Sequence, residues 1–233
     1  MGEARKPGRK AGLLAFRTPR FDAVGLRPIY SGMTRILPTA LFALGLVSAA
    51  ACAQAAPRTD RLETAVFAGG CFWCTEADFE KVPGVVSAVS GYTGGAEPSP
   101  TYKQVTAGRT GHLEAVKVTY DPARVSYRAL VDRFWTTIDP TDASGQFCDR
   151  GASYRPAVFV ATPAQRQAAE ASRQAAAARL KRGAMATPIR DASAFWPAEA
   201  HHQDFYKTNP LRYRTYRQGC GRDARLKAVW GSR

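Results

Sequence analysis

Two cysteines three positions apart stand beside a glycine pair in "GGCFWCTEADFEKVPG", residues 69–84. Cys71 falls where a predicted strand turns into a predicted helix, and the helix dipole and free N–H groups favour a thiolate there. Two glycines allow a sharp turn and the close approach of a substrate. The spacing predicts a nucleophilic thiol at Cys71. A small buried cysteine between two core aromatics is the structural alternative.

The neighbouring side chains suit an apolar site that can donate a proton. Phe72 and Trp73 would form an apolar wall beside the sulfur, which fits a methyl-like group better than a charged one. Glu114 shares one face of a predicted strand with Val116 and Val118. Burial there would raise the pKa of Glu114 and let it donate a proton near neutrality. The alternative is a strand-end glutamate that reaches water.

Four further polar residues are weaker candidates when each is taken alone. Tyr102 follows a proline-rich loop and Tyr154 precedes a predicted strand, and binding residues tend to occupy such positions. Asp149 and His202 are also weak candidates when each is taken alone. A lone tyrosine is more often a packing residue whose hydroxyl reaches water.

The elements that must position these residues alternate between strands and helices. We predict strands at 63–69, 85–92, 112–120 and 156–161, and helices at 71–82 and from Ser126 onward. The order β-α-β-β-α-β is the split βαβ of ferredoxin-like α+β proteins, a two-layer core with helices on one face of a sheet. An alanine-rich helix from Thr162 to about Lys181, a strand within 187–195, a short helix near 201–207 and an irregular tail complete the prediction.

The first 55 residues have the pattern of an export signal. An uncharged stretch at 36–57 follows Arg35 and ends in small residues that offer cleavage after Ala55. Met33 would give a more ordinary start than Met1. We therefore predict an extension at 1–55, a catalytic domain at 56–233 and a periplasmic location. An uncleaved anchor, or a lipid on Cys52, are the alternatives, and only they would bring the protein to a membrane.

Composition and charge indicate a globular domain with a solvated surface. The chain carries a formal charge of +14 over 233 residues, and the part after residue 55 is near +8 because eight of the 33 basic and two of the 19 acidic residues precede it. The bases are scattered and alternate with acids, so we expect no nucleic-acid partner. We expect a monomer. Four cysteines remain after residue 55, and a domain of this length does not need disulfides to fold, which leaves redox chemistry open.

Two other functions are compatible with the cysteines alone. A thioredoxin-like oxidoreductase could use the Cys71-x-x-Cys74 pair, but it assigns no task to Glu114. A zinc module could join that pair to Cys148, Cys220 or the histidines at 201–202, although structural zinc sites usually have a second closely spaced pair. We expect no metal.

Six motifs in order make the chain resemble a known family. They are "GCFWC", "GYTGG", "PSPTY", "TGHLEAVKVTYDP", "DRGASYR" and "HHQDFY". In this order and rough spacing they resemble the A-type peptide methionine sulfoxide reductases over residues 63–221. These enzymes reverse the oxidation of the methionine thioether.

The resemblance implies roles for the candidate residues. Cys71 would attack the sulfoxide sulfur, Glu114 would supply a proton, and the hydroxyls of Tyr102 and Tyr154 would hold the oxygen. The wall of Phe72 and Trp73 would receive the methyl group. Asp149 matches a family position near the substrate backbone, and His202 matches a histidine whose role is unassigned.

A second thiol must resolve the Cys71 sulfenic acid to a disulfide, which an external dithiol such as thioredoxin reduces. The resemblance implies no other cofactor, and the substrate is free or protein-bound methionine-S-sulfoxide. We favour Cys220, whose glycine neighbours suit a mobile tail, with Cys74 as runner-up because residues three apart are neighbours at a helix start. We expect Cys148 to be a small core or supporting thiol.

Overall fold

The structure, a computed structural model, describes residues 61–180 and 184–231. The predicted export signal, with Met33, Cys52 and Ala55, lies outside the described residues, as does Lys181 at the predicted end of the alanine-rich helix. Nothing among the described helices combines the length and the apolar character that crossing a bilayer requires.

Within these described ranges, eight strands form two sheets. They are β1 Glu63–Ala68, β2 Val85–Thr93, β3 Leu113–Tyr120, β4 Gly145–Gln146, β5 Asp149–Arg150, β6 Ala157–Val160, β7 Ile189–Asp191 and β8 Trp196–Pro197. The main sheet has the order β7-β6-β1-β3-β2-β8, in which only β6 and β7 pair in parallel, and β4 and β5 form a separate hairpin. The four central strands have the order of a split βαβ unit, so the predicted α+β class is confirmed.

Seven α-helices accompany the strands in the part of the chain that the structure describes. They are α1 Phe72–Phe79, α2 Tyr102–Thr106, α3 Tyr127–Trp135, α4 Pro163–Arg179, α5 Phe205–Thr208, α6 Pro210–Gly219 and α7 Arg222–Trp230. The same residues also contain 3₁₀ helices at Ala152–Tyr154 and Ala200–His202. The side chains of Ser126 and Thr162 accept backbone N–H bonds at the starts of α3 and α4, which explains why those helices begin where the sequence predicted.

The core forms where one face of the sheet meets α1 and α3. Phe67 of β1 stacks on Phe79 of α1 at 4.7 Å between ring centroids and on Phe134 of α3 at 5.1 Å. Val116 and Val118 of β3 join this cluster, whereas Leu113 and Ala115 belong to a separate one. The predicted alternation of β3 is therefore correct, and it directs Glu114 toward the layer that holds α1.

The C-terminal segment differs from the irregular tail that the sequence predicted, because it contains α6 and α7. Both helices present mostly polar residues, so their helical periodicity is weak in the sequence. Their buried positions contact the rest of the protein: the Trp230 indole N–H donates to the Ile138 carbonyl at 3.0 Å, and Arg222 Nη2 donates to the Thr137 carbonyl at 2.7 Å. These tertiary contacts, rather than local propensity, stabilise the two helices.

Candidate active site

The turn between β1 and α1 places Cys71 at the N-cap of α1. Gly70 has φ +80°, a conformation that favours glycine, and a Cβ on Gly69 would lie 2.6 Å from Thr75 Oγ1. The glycine pair therefore permits the turn and its close packing on α1. Cys71 and Cys74 are 5% and 1% exposed, so the site is enclosed by protein.

Glu114 reaches the same turn from the centre of the sheet. Its Oε2 accepts the backbone N–H of Phe72, the residue after Cys71, at 3.0 Å. Burial is the main cause that raises the pKa of Glu114 to about 8, against the lowering effect of this hydrogen bond. The carboxyl is thus protonated at neutral pH and lies beside the thiol, in the position that the sequence predicted.

Tyr102 and Tyr154 come together from α2 and from a 3₁₀ helix. Their hydroxyls form a hydrogen bond with each other, and the Glu114 carboxyl is among the causes that raise the pKa of both, after burial. Two hydroxyl groups and one carboxyl therefore converge near Cys71. Such a group of donors can bind an oxygen atom that gains negative charge.

An aromatic wall closes another side of the site. Trp73 stacks on Phe205 at 3.7 Å between centroids, and Phe72 lies 6.3 Å from the Tyr102 ring. The Trp73 indole N–H donates to His202 Nδ1 at 3.2 Å. Because burial lowers the pKa of His202, its ring is neutral and Nδ1 can accept this bond. His202 thus fixes the orientation of the wall.

Asp149 joins the site through a residue that the sequence did not single out. The Tyr216 hydroxyl donates to Asp149 Oδ2 at 2.5 Å and also lies in hydrogen-bonding contact with Cys71. Glu199 was missed as well; its carboxylate accepts the Tyr102 backbone N–H and the Tyr92 hydroxyl, each at 2.8 Å. The i, i+3 pair of tyrosines at 213 and 216, next to Arg217, was the signal for a buried face on α6.

The two buried thiols share a proton, and the result differs from the prediction for Cys71. Burial, the hydrogen bond to Cys74 and the negative charge of the Cys74 thiolate raise the pKa of Cys71. The same hydrogen bond, with Arg222 and Arg217, lowers the pKa of Cys74 to about 7. Cys71 S–H therefore donates to a Cys74 sulfur with thiolate character. The helix N-terminus alone does not hold Cys71 as a thiolate, because burial outweighs it.

The other two cysteines of the described residues form a disulfide, Cys148–Cys220, that spans 72 residues of sequence. Cys148 is exposed on the hairpin of β4 and β5, so the expectation of a small core or supporting thiol is wrong. The bond borders a cleft of about 710 Å³ that Asp142, Arg150 and Arg225 also line. Since the bond occupies both sulfurs, they do not complete a zinc site with Cys71 and Cys74.

Comparisons with known proteins agree with this geometry. A family model described as peptide methionine sulfoxide reductase matches residues 63–233. A peptide methionine sulfoxide reductase of Caulobacter vibrioides is 58% identical over 199 residues, which cover 85% of this chain and 100% of that protein. One of Rhizobium meliloti is 50% identical over 72% of this chain and 84% of that protein. The solved structure of methionine sulfoxide reductase A of Corynebacterium diphtheriae superposes with a TM-score of 0.59 at 34% identity, covering 66% of this chain and 78% of that one.

Proposed function

The chain belongs to the A-type peptide methionine sulfoxide reductases, and from that premise we propose that it reduces methionine-S-sulfoxide, free or in oxidised proteins, with Cys71 as nucleophile and Glu114 as acid. The reaction depends on thiols. The observation that carries the assignment of roles is the bond from the Phe72 N–H to the Glu114 carboxyl, which places a protonated acid one residue from the buried thiol.

The first step transfers oxygen from methionine sulfoxide to Cys71. A sulfoxide sulfur is a poor electrophile until its oxygen is protonated or strongly hydrogen-bonded. As Cys71 Sγ attacks that sulfur, its S–H proton passes to Cys74 and the Glu114 proton passes to the sulfoxide oxygen. The new bond between the two sulfurs and the S–O bond of the substrate then break as the hydroxyl moves to Cys71. The products are methionine and the Cys71 sulfenic acid, and Glu114 regains its proton from solvent. The hydroxyls of Tyr102 and Tyr154 support the oxygen while this charge moves.

The aromatic wall selects the substrate group that enters. Phe72 and Trp73 present apolar surface beside Cys71, and this surface suits the methyl group on the sulfoxide sulfur. The Asp149 carboxylate, held by Tyr216, is placed to accept an N–H from the substrate backbone. Enclosure by these side chains also keeps water from the sulfenic acid.

The second step forms a disulfide and releases water. Cys74 lies one helical turn from Cys71 and is already hydrogen-bonded to it, so we propose that Cys74 attacks the Cys71 sulfenic acid first. The S–O bond breaks, the oxygen leaves with its hydrogen and the Cys74 proton, and a Cys71–Cys74 disulfide remains. Cys220, the resolving thiol that the sequence favoured, can take part only after the Cys148–Cys220 bond is reduced.

An external dithiol of the thioredoxin type returns the enzyme to its reduced state by thiol–disulfide exchange. The exposure of Cys148 supports the Cys148–Cys220 bond as a place where such a partner can attack. We also propose that the protein acts as a monomer in the periplasm after cleavage near Ala55. Sequencing of the mature N-terminus and size-exclusion chromatography test these two proposals.

To test this chemistry, methionine release is measured separately from the S and the R epimer of methionine sulfoxide, with dithiothreitol as reductant. The parent is expected to reduce the S form only, and Cys71→Ser is expected to release no methionine. In Cys74→Ser and Cys220→Ser, a single turnover is followed by mass spectrometry of trapped sulfenic acid. Methionine release by Cys71→Ser would overturn the assignment of the nucleophile. Disulfide formation at Cys71 that survives in Cys74→Ser and fails in Cys220→Ser would return the resolving role to Cys220.

A further inference from the structure

Two arginines of the C-terminal segment are buried against the side of α1 that carries Cys74. Arg217 of α6 donates to Asp78 Oδ1 at 3.2 Å and to the Tyr213 hydroxyl at 3.1 Å. Arg222, which is 1% exposed, donates to the carbonyls of Thr137 at 2.7 Å and Gly69 at 3.4 Å. Both guanidinium groups thus lie behind the turn that holds the two free thiols.

Asp78 does not fill the hydrogen-bonding groups of this buried pair of arginines. Asp78 is the one buried carboxylate that both arginines approach within the described residues, and Arg222 Nε remains 4.0 Å from its Oδ2 without a hydrogen bond. Arg217 also pairs with Asp223, which lies largely in solvent. A buried guanidinium without a close anion is costly. Cys74 lies one helical turn before Asp78, in the same cluster as Tyr213, and can become a further anion beside the two arginines.

We propose that Arg222, with Arg217, holds Cys74 as a thiolate in the resting enzyme, so that the C-terminal segment activates the second thiol of the site. The titratable and charged groups around Cys74 are Cys71, Asp78, Glu114, Tyr213 and the two arginines. Of these, Asp78 opposes the thiolate, while the Cys71 S–H and both arginines favour it. The lowered pKa of Cys74 agrees with its position beside the two arginines.

The inference rests on the proposed function only in the part that the Cys74 thiolate plays in the two reaction steps. In the first step the Cys74 thiolate accepts the Cys71 proton, and in the second it loses that proton to the departing oxygen as the disulfide forms. Arg222 touches neither the substrate nor the reacting sulfur of Cys71. It is therefore a positioning residue that acts through Cys74.

The ionisation of Cys74 can be measured without any substrate. In the full chain carrying C52S and C71S, with the Cys148–Cys220 bond intact, Cys74 is the single remaining thiol. Thiolate absorbance at 240 nm, followed from pH 5 to 10, gives its titration midpoint. Arg222→Met is expected to raise this midpoint by about one to two pH units. Arg222→Lys should restore part of the change, and Arg225→Met, which removes an exposed arginine of the same helix, should leave the midpoint in place.

Kinetics give a readout that a purely structural role would not change. With Cys71 present, Arg222→Met is expected to form the Cys71–Cys74 disulfide about 10-fold more slowly than the parent at pH 7. It should recover the parent rate near pH 9, where Cys74 ionises without help. If Arg222→Met does not fold, Arg217→Met tests the same charge from α6. A titration midpoint of Cys74 that changes by less than 0.3 pH units in folded Arg222→Met or Arg217→Met would overturn this proposal. It would not bear on the proposed sulfoxide reductase function.

Discussion

Replacement of Glu114 by glutamine is expected to abolish activity while making the protein more stable at alkaline pH. Glutamine keeps the shape of the side chain and an oxygen that can accept the Phe72 N–H. It has no proton to give to the sulfoxide oxygen, so we expect kcat to fall by about 10²- to 10⁴-fold. In the parent, kcat should decline as the pH rises through about 8, because Glu114 then ionises.

The stability effect follows from the raised pKa of Glu114. The folded state holds the proton up to a pH of about 8, whereas the unfolded chain releases it near the ordinary value of 4.5. Between these values the folded state binds more protons than the unfolded state, so the folding free energy of the parent weakens as pH rises. Each pH unit in that window costs about 1.4 kcal/mol, and the full window costs about 5 kcal/mol. Glu114→Gln is free of this cost.

Urea denaturation of both proteins from pH 4 to 9 measures the difference. The Glu114→Gln variant should match the parent near pH 4 and exceed it increasingly up to pH 8, while other titrating groups cancel in the comparison. Glu97→Gln, at an exposed loop position, serves as the control. A difference that stays constant across this range, or a Glu114→Gln variant with parental kcat, would refute the burial of a neutral acid at this site.

Three further predictions concern the wall and the surface disulfide. Trp73→Ala should raise KM for methionine sulfoxide about 10-fold or more with a smaller change in kcat, and Trp73→Phe should preserve most of the affinity. A KM of Trp73→Ala equal to that of the parent would contradict the role of the aromatic wall. His202→Asn should keep an acceptor for the Trp73 indole and a KM near that of the parent, whereas His202→Phe should reproduce the KM defect of Trp73→Ala in steady-state assays. Cys148→Ser should lower the free energy of unfolding in urea by about 4 kcal/mol relative to the oxidised parent, since the bond closes a loop of 72 residues.

The sequence predicted the central architecture, the turn at Cys71 and the buried face of Glu114 because these depend on local periodicity, whereas the family resemblance implied that the thiol and the acid act together. The alternation of β3 placed Glu114 on the buried face, and the glycine pair marked the turn before α1. The α+β class followed from the order of strongly patterned elements.

What the sequence did not predict depends on contacts between distant segments. The pairing of Cys148 with Cys220 has no signal in the spacing of the cysteines. Cys71 keeps its proton because burial and Cys74 raise its pKa. These effects oppose the helix dipole, on which the sequence prediction of a thiolate depended. The helices α6 and α7 have few apolar residues, so the sequence does not mark their interior faces. The structure shows that Arg217 binds Asp78 and that Arg222 binds the Gly69 carbonyl.

The position of Cys220 bears on which thiol resolves the sulfenic acid. Cys220 is the C-cap of α6, and its N–H donates to the Tyr216 carbonyl at 2.9 Å. It lies in sequence between Arg217, which binds Asp78, and Arg222, which binds the Gly69 carbonyl. To reach Cys71 it would have to leave Cys148 and draw this segment away from α1, and separating a buried charge from its partner costs about 3 to 5 kcal/mol. Cys74 needs no movement of the backbone, because it is already in contact with Cys71. The same contacts that activate Cys74 therefore restrain Cys220, so faster resolution by Cys74 follows from the packing of α6 and α7 themselves.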